Sequence, residues 1–314
     1  MANRKEVIMI YDVIIIGSGP AGLAAGIYAQ RAELNTLIIE KNAISGGQII
    51  NTYEVDNYPG LPGISGFELA EKFRTHCDGL GAQFVTGDVM KFEVIDDVKR
   101  ITLDNDEVFE AKAVIIATGA AYRKLGVDGE LQLSGMGVSY CATCDGAFFR
   151  NKTTVVVGGG DVAVEDAIFL ARLCKKVYVV HRRHEFRAAK SLINRLMSME
   201  NVEIIWDSVV DKIEGSDLVE AIHITNRETK EQRRIETNGV FIAVGNLPNS
   251  DVYKGVVEMD EAGYIVANED CETNVPGIYA AGDIRTKQLK QIITAAADGA
   301  NAITAVEKYL NEVS

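Results

Sequence analysis

A chain of 314 residues with 47% apolar and 25% charged side chains has room for two ordinary soluble domains. Its 45 acidic against 32 basic residues leave a net charge of -13, which repels phosphate backbones and anionic lipid and so excludes nucleic acid and membrane surfaces as partners. Five cysteines, odd in number and mostly scattered, do not look like a disulfide-stapled secreted domain, and they point to a reducing, cytoplasmic setting.

The chain opens MANRKEVIMIYDVIII. Arg4 and Lys5 before an apolar run imitate a leader peptide. The run contains Asp12, however, and passes straight into a glycine loop without a small-residue cleavage site, so it reads as a buried first strand. No apolar stretch reaches the ~20 residues of a membrane span. From Tyr11 the pattern is strand, tight glycine loop, amphipathic helix and strand (YDVIIIGSGPAGLAAGIYAQRAELNTLIIEK), which predicts a βαβ unit. In GSGPAG, Gly17 permits the turn, Gly19 lets a pyrophosphate approach the backbone, and Gly22 lets the helix pack closely on the strand. The helix start supplies free N–H groups and a positive dipole end. Glu40 ends the second strand ~20 residues on, where a carboxylate accepts hydrogen bonds from adenosine ribose hydroxyls. The Gly-, Asn- and Pro-rich segment SGGQIINTYEVDNYPGLPG follows, a loop that can wrap a flavin. Residues 83–111 alternate like a small β-meander, and AVIIATG closes this first copy at Gly119.

SYCATCDGAFF comes next. Cys141 and Cys144 stand in a C-x-x-C spacing that can close a small disulfide ring and, at a helix start, shift one thiol toward thiolate. Asp145 beside them can shuttle the accompanying proton, or simply cap the helix. A metal site or an incidental pair of buried thiols are the competing readings. No second CxxC exists, and His76, His181, His184 and His223 show no spacing that partners the pair, so no metal is expected.

From Lys152 the chain repeats itself: KTTVVVGGGDVAVEDAIFLARLCKKVYVVHR aligns with the first copy without a gap, setting Gly158 on Gly17, Gly160 on Gly19 and Ala163 on Gly22. One glycine loop alone is weak evidence; two in register, each between a strand and a helix, are strong. At the ribose position this copy has no acid. It has His181, Arg182 and Arg183, with Arg187 shortly after, and clustered guanidinium groups suit the 2′-phosphate that distinguishes NADPH from NADH. A solvated basic turn is the bland alternative, and the placement at the end of a nucleotide fingerprint favours the functional one. Copy one is therefore read as an FAD unit and copy two as an NADPH unit. Residues 202–238 predict a second meander, and VFIAVG ends at Gly245.

The tail carries GYIVANEDCETNVPGIYAAGD and the alanine-rich helix pattern KQIITAAADGANAITAVEKYL. Asp283 follows an apolar strand, where its carboxylate can hold a ribityl hydroxyl or merely cap the strand end. Too short to be a domain, the tail is read as completing the first unit. The expected fold is α/β, with two Rossmann-like three-layer nucleotide-binding domains, each with a small β-meander, the second inserted in the first. The boundaries are 1–117 with 248–314 for the FAD domain and 118–247 for the NADPH domain carrying the CxxC pair. A flavin unit, a nicotinamide unit and a CxxC in one chain imply a relay of hydride to flavin, electron pair to disulfide, then thiol-disulfide exchange with an outside substrate. Cys77, Cys174 and Cys271 are read as small buried side chains and Trp206 as a core or meander residue.

With GSGPAG, GGQ, ATG, CATCDG, GGGDVA, HRRHEFRA and AAGD in order and spacing, the chain resembles the low-molecular-weight NADPH-thioredoxin reductases of bacteria over essentially its whole length. That resemblance implies a homodimer of two-domain subunits whose NADPH domain rotates, with thioredoxin or a thioredoxin-like protein as partner. It implies that Cys144 faces the flavin, that Cys141 attacks the partner disulfide, and that Asp145 is acid and base. On FAD it sets Gly17, Ser18, Gly19, Pro20, Ala21 and Gly22 of the loop, with Glu40. Gly47, Gln48 and Asn57 of the following segment join them, as do Thr118 and Gly119. From the tail it adds Gly282, Asp283, Lys290, Gln291 and Ile292. On NADPH it sets Gly158, Gly160, Asp161, Val162 and Ala163, then His181, Arg182, Arg183 and Arg187, and finally Gly245. Val162 stands where the family usually has serine, Lys290 where it has arginine, and Met136 and Ala147 where Arg and Phe can help dock thioredoxin. Three other readings compete: a ferredoxin-fed relative, against which the intact GGGDVA and HRRHEFRA argue; a flavin-dependent thiol oxidase; and a flavin sensor or metal scaffold without turnover.

Overall fold

The computed structural model describes residues 9–52 and 54–313. The first eight residues of the opening run lie outside these, and the predicted first strand is seen from Ile10. The chain divides into two compact units, one running to Ala121 and resuming at Leu247, the other Tyr122–Asn246.

In the first unit, β1 (Ile10–Ile16) enters a glycine turn that opens α1 (Pro20–Arg31), and β2 (Thr36–Glu40) returns parallel to β1. The strands are continuous β-branched runs because both sheet faces are covered. Pro20 at the first helical position fixes a helical φ where no N–H partner is needed. After the excursion through residues 41–65 come α2 (Gly66–Gly79), whose N-terminus is capped by Ser65 Oγ accepting from Glu68 N at 3.1 Å, and β3 (Gln83–Thr86), parallel to β2. β4 (Val89–Ile95), β5 (Val98–Leu103) and β6 (Val108–Ile116) form an antiparallel meander. β6 has two roles. Its first residues pair with β5, while Glu110–Ile116 runs parallel to β1, so the meander continues the parallel sheet in the order β3-β2-β1-β6-β5-β4.

β7 (Ala120–Tyr122) lies where the chain leaves this unit. In the second unit β8 (Val138–Ser139) leads to the four-residue helix α3 (Ala142–Asp145). β9 (Thr153–Gly158), α4 (Asp161–Ala171) and β10 (Lys176–Val180) repeat the βαβ pattern, followed by α5 (Lys190–Met197) and β11 (Val202–Ile205). β12 (Ser208–Gly215), β13 (Val219–Asn226) and β14 (Gln232–Glu236) make a separate three-stranded antiparallel sheet. β15 (Gly239–Ala243) joins the parallel sheet in the order β11-β10-β9-β15-β8, and β16 (Asn246–Pro248) marks the chain's departure from the unit. The two segments read as meanders thus each begin with a strand that belongs to the parallel sheet instead, β3 and β11. Apolar residues facing a covered sheet and a half-open one alternate too similarly over four residues to be told apart.

The tail adds β17 (Ile278–Ala280), parallel to the end of β6, and α6 (Ile292–Val313). α6 lies on α1, and Gly299 approaches so closely that a Cβ there would come within 2.2 Å of the Ala21 carbonyl. Val13, Ile15, Ile38, Ala113, Ile303 and Val306 fill the core beneath this helix pair. No helix among the described residues is long and apolar enough to cross a membrane.

Candidate active site

Gly17 takes φ +103°, and a Cβ on it would strike the Ala117 carbonyl at 2.4 Å; a Cβ on Gly22 would strike the Gly17 carbonyl at 1.9 Å. Both are glycine for reasons internal to the protein. Gly19 is different. A Cβ there would meet no protein atom nearer than the Gly46 carbonyl at 4.0 Å, so the missing side chain opens space directly over the start of α1. That helix has no side-chain cap and no acid in its first turn, which leaves its N–H groups and dipole for an anion.

Two distant segments converge on this helix start. Gly47 lies beside Gly19, 3.3 Å from its Cα by the same construction, and Gly282 lies against Ala21. At the end of β2, Glu40 Oε2 accepts from Ser18 N (2.8 Å) and Oγ (2.7 Å), and its Oε1 accepts from Asn42 N and Nδ2. Ser18 is fully buried and acts as a brace that orients the carboxylate. Asp283 follows β17, and its Oδ1 is buried without a hydrogen-bond partner. A strand-end cap would be bonded to backbone; this oxygen is not. Burial pushes the Asp283 carboxyl up, with Lys290 and Lys287 pulling the other way. An unmet buried acceptor beside a cleared helix start fits a ligand bearing hydroxyl groups.

Lys290 donates to the Asp283 carbonyl at 2.9 Å and sits 3.3 Å over the Tyr264 ring, and its burial pushes it down to about 8. Asn57 Nδ2 donates to Gln291 Oε1 at 2.8 Å, joining two predicted site residues far apart in the chain. Gln48 is exposed on the 3-10 turn Gly47–Asn51, and Ile292 opens α6. Thr118 spends its hydroxyl on the Asn249 carbonyl, and Asn249 returns a bond to the Thr118 carbonyl, next to Gly119.

Three side chains not singled out from the sequence support this arrangement. Asp298 of α6 is buried and accepts from Arg285, from Lys287 Nζ at 2.8 Å and from the Gly282 amide at 2.8 Å. Burial works against its charge, but bonds from Arg285, Lys287 and that amide hold the carboxyl below its ordinary value. The cluster pins the segment that presents Asp283. A lone acid among alanines in TAAADGANA was the available signal.

The second unit repeats this open helix start. Gly160 caps α4 with no protein atom within 4 Å of its missing Cβ, whereas a Cβ on Gly158 would strike the Ala243 carbonyl at 2.3 Å. Ala163 is fully buried and Val162 is 61% exposed. Gly159 rests on the His181 ring, 2.1 Å from where a Cβ would sit. His181 is buried, stacked on Phe186 and bonded to the Glu185 carbonyl, and burial pushes its pKa down, so it serves as a neutral floor under the loop. The basic segment folds onto the glycine loop: Arg187 N donates to the Gly159 carbonyl at 2.8 Å and Ala189 N to Asp161 Oδ1 at 2.8 Å. Arg187, Arg182 and Arg227 together depress the Arg183 guanidinium. Gly245, past the end of β15, accepts from Arg123 N.

Cys141 and Cys144 form a disulfide, with Cys141 as the residue preceding α3 and Thr143 exposed between them. Ser139, which the sequence left unmarked, donates to Asp145 Oδ2 at 2.5 Å and accepts from Cys141 N at 3.1 Å. Burial pushes the Asp145 carboxyl up, with the Ser139 bond opposing. A dithiol-disulfide couple with a proton-holding acid in the next position can exchange electrons and protons together.

The sequence profile described as pyridine nucleotide-disulphide oxidoreductase matches residues 11–299. The chain belongs to that family. Thioredoxin reductases of Bacillus subtilis (47% identical, 97% of this chain and 96% of theirs) and Listeria innocua (46%, 100% and 97%) are similar to it along their whole length. The crystal structure of thioredoxin reductase from Streptococcus pyogenes superposes with a TM-score of 0.92 at 47% identity, covering 96% of this chain and 99% of that one. As a pyridine nucleotide-disulphide oxidoreductase, the chain is an enzyme that works with a flavin and a pyridine nucleotide, and its Cys141–Cys144 disulfide fits the family's redox-active pair. The other three cysteines, Cys77, Cys174 and Cys271, are buried free thiols.

Proposed function

We propose that this enzyme reduces the disulfide of thioredoxin or a thioredoxin-like protein with electrons from NADPH, using FAD. The observation that carries the reading is the disulfide Cys141–Cys144 with Ser139 bonded to both Asp145 and the Cys141 amide, in a unit that also bears a second glycine loop followed by an arginine run.

FAD would lie on the first unit, its pyrophosphate over Gly19 and the α1 start, its adenosine ribose at Glu40 and its ribityl chain at Asp283. The orphaned Asp283 oxygen supports that fit. Gly47, Gln48 and Asn57 on one side and Lys290, Gln291 and Ile292 on the other would border the ring. NADPH would lie on the second unit, over Gly160 and α4, with Arg182, Arg183 and Arg187 on the 2′-phosphate. When bound, the flavin supplies a two-electron carrier that takes hydride from a nicotinamide and gives an electron pair to a disulfide.

The residues of this chain do the rest. Two electrons and two protons convert the Cys141–Cys144 disulfide to a dithiol, and Asp145, whose carboxyl burial pushes up, would deliver a proton to a thiolate of the pair. One cysteine then attacks the partner's disulfide as a thiolate, forming a mixed disulfide and releasing one partner sulfur. The second cysteine attacks the mixed bond, which regenerates Cys141–Cys144 and frees the partner as a dithiol. The residues 118–247 would work as the NADPH domain and 1–117 with 248–314 as the FAD domain, in a homodimer acting in the cytoplasm. A guanidinium cluster with no carboxylate salt bridge among the described residues speaks for NADPH over ferredoxin as electron source.

The test is an anaerobic titration of the yellow protein with NADPH followed by oxidised thioredoxin. Bleaching on the first addition and return of colour on the second is the expected result. Colour that bleaches but does not return with any thioredoxin would overturn the substrate assignment, and peroxide made from substrate dithiol without NADPH would favour an oxidase.

A further inference from the structure

A fourth guanidinium reaches the basic loop of the second unit from the meander sheet. Arg227 follows β13 in the turn leading to β14, and that turn is rigidly built. Asn226 Oδ1 accepts from the amides of Glu228 and Thr229, both at 2.9 Å, and Asn226 N donates to the Glu231 carbonyl at 2.9 Å. The backbone of the turn is laced to the exit of the nucleotide fold: Arg227 N donates to the Asp207 carbonyl at 2.6 Å, and Asp207 N to the Arg183 carbonyl at 3.3 Å. The Arg227 side chain then donates Nη1 to the Arg182 carbonyl at 3.2 Å, which anchors one edge of the fork and leaves its other N–H groups uncommitted.

Charge makes this placement informative. In a chain of net charge -13, none of Arg182, Arg183, Arg187 and Arg227 pairs with a carboxylate among the described residues. The charges of the other three are all felt at Arg183. Like charges gathered this closely repel, with Glu185 opposing them at Arg183, and a set of planar forks matches a phosphate group. A solvated basic turn would scatter its side chains; here a residue from a different sheet is bonded into the loop.

We infer that Arg227 is a fourth ligand of the nucleotide 2′-phosphate and a determinant of the preference for the phosphorylated nicotinamide nucleotide. This rests on the reading of the second unit as the NADPH site. The contact is charge-assisted but at an exposed position, so its loss weakens binding by roughly ten-fold.

The probes are 2′,5′-ADP and 5′-AMP, which differ only in the 2′-phosphate, bound to the full-length flavoprotein and followed by calorimetry. Arg227→Gln should weaken 2′,5′-ADP about ten-fold and leave 5′-AMP unchanged, with Arg227→Lys between Gln and wild type, because a lysine keeps the charge and loses the fork. An unchanged affinity for 5′-AMP in Arg227→Gln shows that the loss reports charge on the phosphate and not loosening of the loop. Equal weakening of both probes, or none of either, overturns the inference. Arg182→Ala is the control for the underlying reading. If it selectively weakens 2′,5′-ADP and Arg227→Gln does not, only Arg227 is misassigned; if Arg182→Ala also leaves the preference intact, the NADPH reading of the unit fails.

Discussion

Both glycine loops turn where a Cβ would strike a strand-end carbonyl, Ala117 in the first unit and Ala243 in the second, and both leave open space at the helix cap, Gly19 and Gly160. They part company at the end of the second strand. In the first unit Glu40 is braced by Ser18 and Asn42, an acceptor held still; in the second, His181 turns inward as a floor and four guanidiniums gather above it. The supports differ as well. The first unit extends its parallel sheet through β6 into the meander and closes over the site with a tail pinned by Asp298, while the second keeps its meander as a separate sheet whose turn supplies Arg227. The open space at the helix start is therefore a property of backbone, common to both copies. On the proposed reading, telling one dinucleotide from another falls to a few side chains past the strand end, and those come from different places in each copy.

The sharpest way to break this division of labour is at the cysteines, which only the second unit carries. Cys141→Ser or Cys144→Ser should abolish reduction of protein disulfides, by a thousand-fold or more, while NADPH still bleaches the flavin. Stopped-flow absorbance of both half-reactions checks it, and loss of bleaching in both variants would mean the electron order is wrong.

Next in size is Asp298, the anchor peculiar to the first unit. Asp298→Asn leaves Arg285 and Lys287 as buried cations without their counter-charge, which costs about 3–5 kcal/mol. The carboxyl is held below its ordinary value of 3.8, so its stabilisation is fully present above that pH and disappears as pH falls through the lower folded value. Chemical denaturation at neutral pH should show the full difference between variant and parent, and the two should converge as the medium is acidified below about pH 4. A constant gap down to the lowest pH at which the parent folds would contradict the assignment of that charge.

The third test exchanges the residue at which the two fingerprints differ. Gly22→Ala puts a methyl 1.9 Å from the Gly17 carbonyl and should destabilise the first unit by about 3 kcal/mol with release of flavin. The second unit already holds alanine there, so Ala163→Gly should cost only about 1 kcal/mol of helix propensity plus a small lost contact. Thermal melts with flavin fluorescence as a second readout would separate the two. Equal effects would show that the copies are packed alike and that the sequence difference has no steric cause.

How far the sequence revealed all this depends on distance along the chain. The repeat, the glycine loops, Glu40, the arginine run and the CxxC are local patterns, and periodicity with spacing is enough to find them. The α/β class with two Rossmann-type halves was legible for that reason. The edge strands β3 and β11 were absorbed into the meanders, since four residues carry too little period to separate a parallel edge from an antiparallel ribbon. Arg227, and Asp298 with its two cations, gain their meaning from partners tens of residues or a whole element away, and nothing in NRETK or TAAADG announces those partners. Ser139 is a local miss of another kind. It lies two residues before Cys141, but serine near a cysteine pair is common and its bond to Asp145 exists only once the short helix α3 folds back.

That bond carries the smallest effect. Ser139 Oγ donates to Asp145, which favours the charged carboxylate, while burial raises the pKa and dominates. Removing the donor in Ser139→Ala takes away the opposing influence, so the Asp145 pKa rises further. A neutral hydrogen-bond donor contributes about 1 kcal/mol, which corresponds to roughly one pH unit at most. If protonated Asp145 supplies the proton to the departing thiolate, turnover falls on the alkaline side as Asp145 ionises, and that limb should move to higher pH in Ser139→Ala by up to about one unit. The steady-state rate with thioredoxin at saturating NADPH, measured across the pH range in which the parent is folded, is the readout. Ser139→Thr keeps a hydroxyl and should restore the parent profile. A merely structural role for Ser139 would lower the rate at every pH and leave the limb where it was, in which case Asp145 is not the acid and the second unit's redox pair draws its proton from solvent.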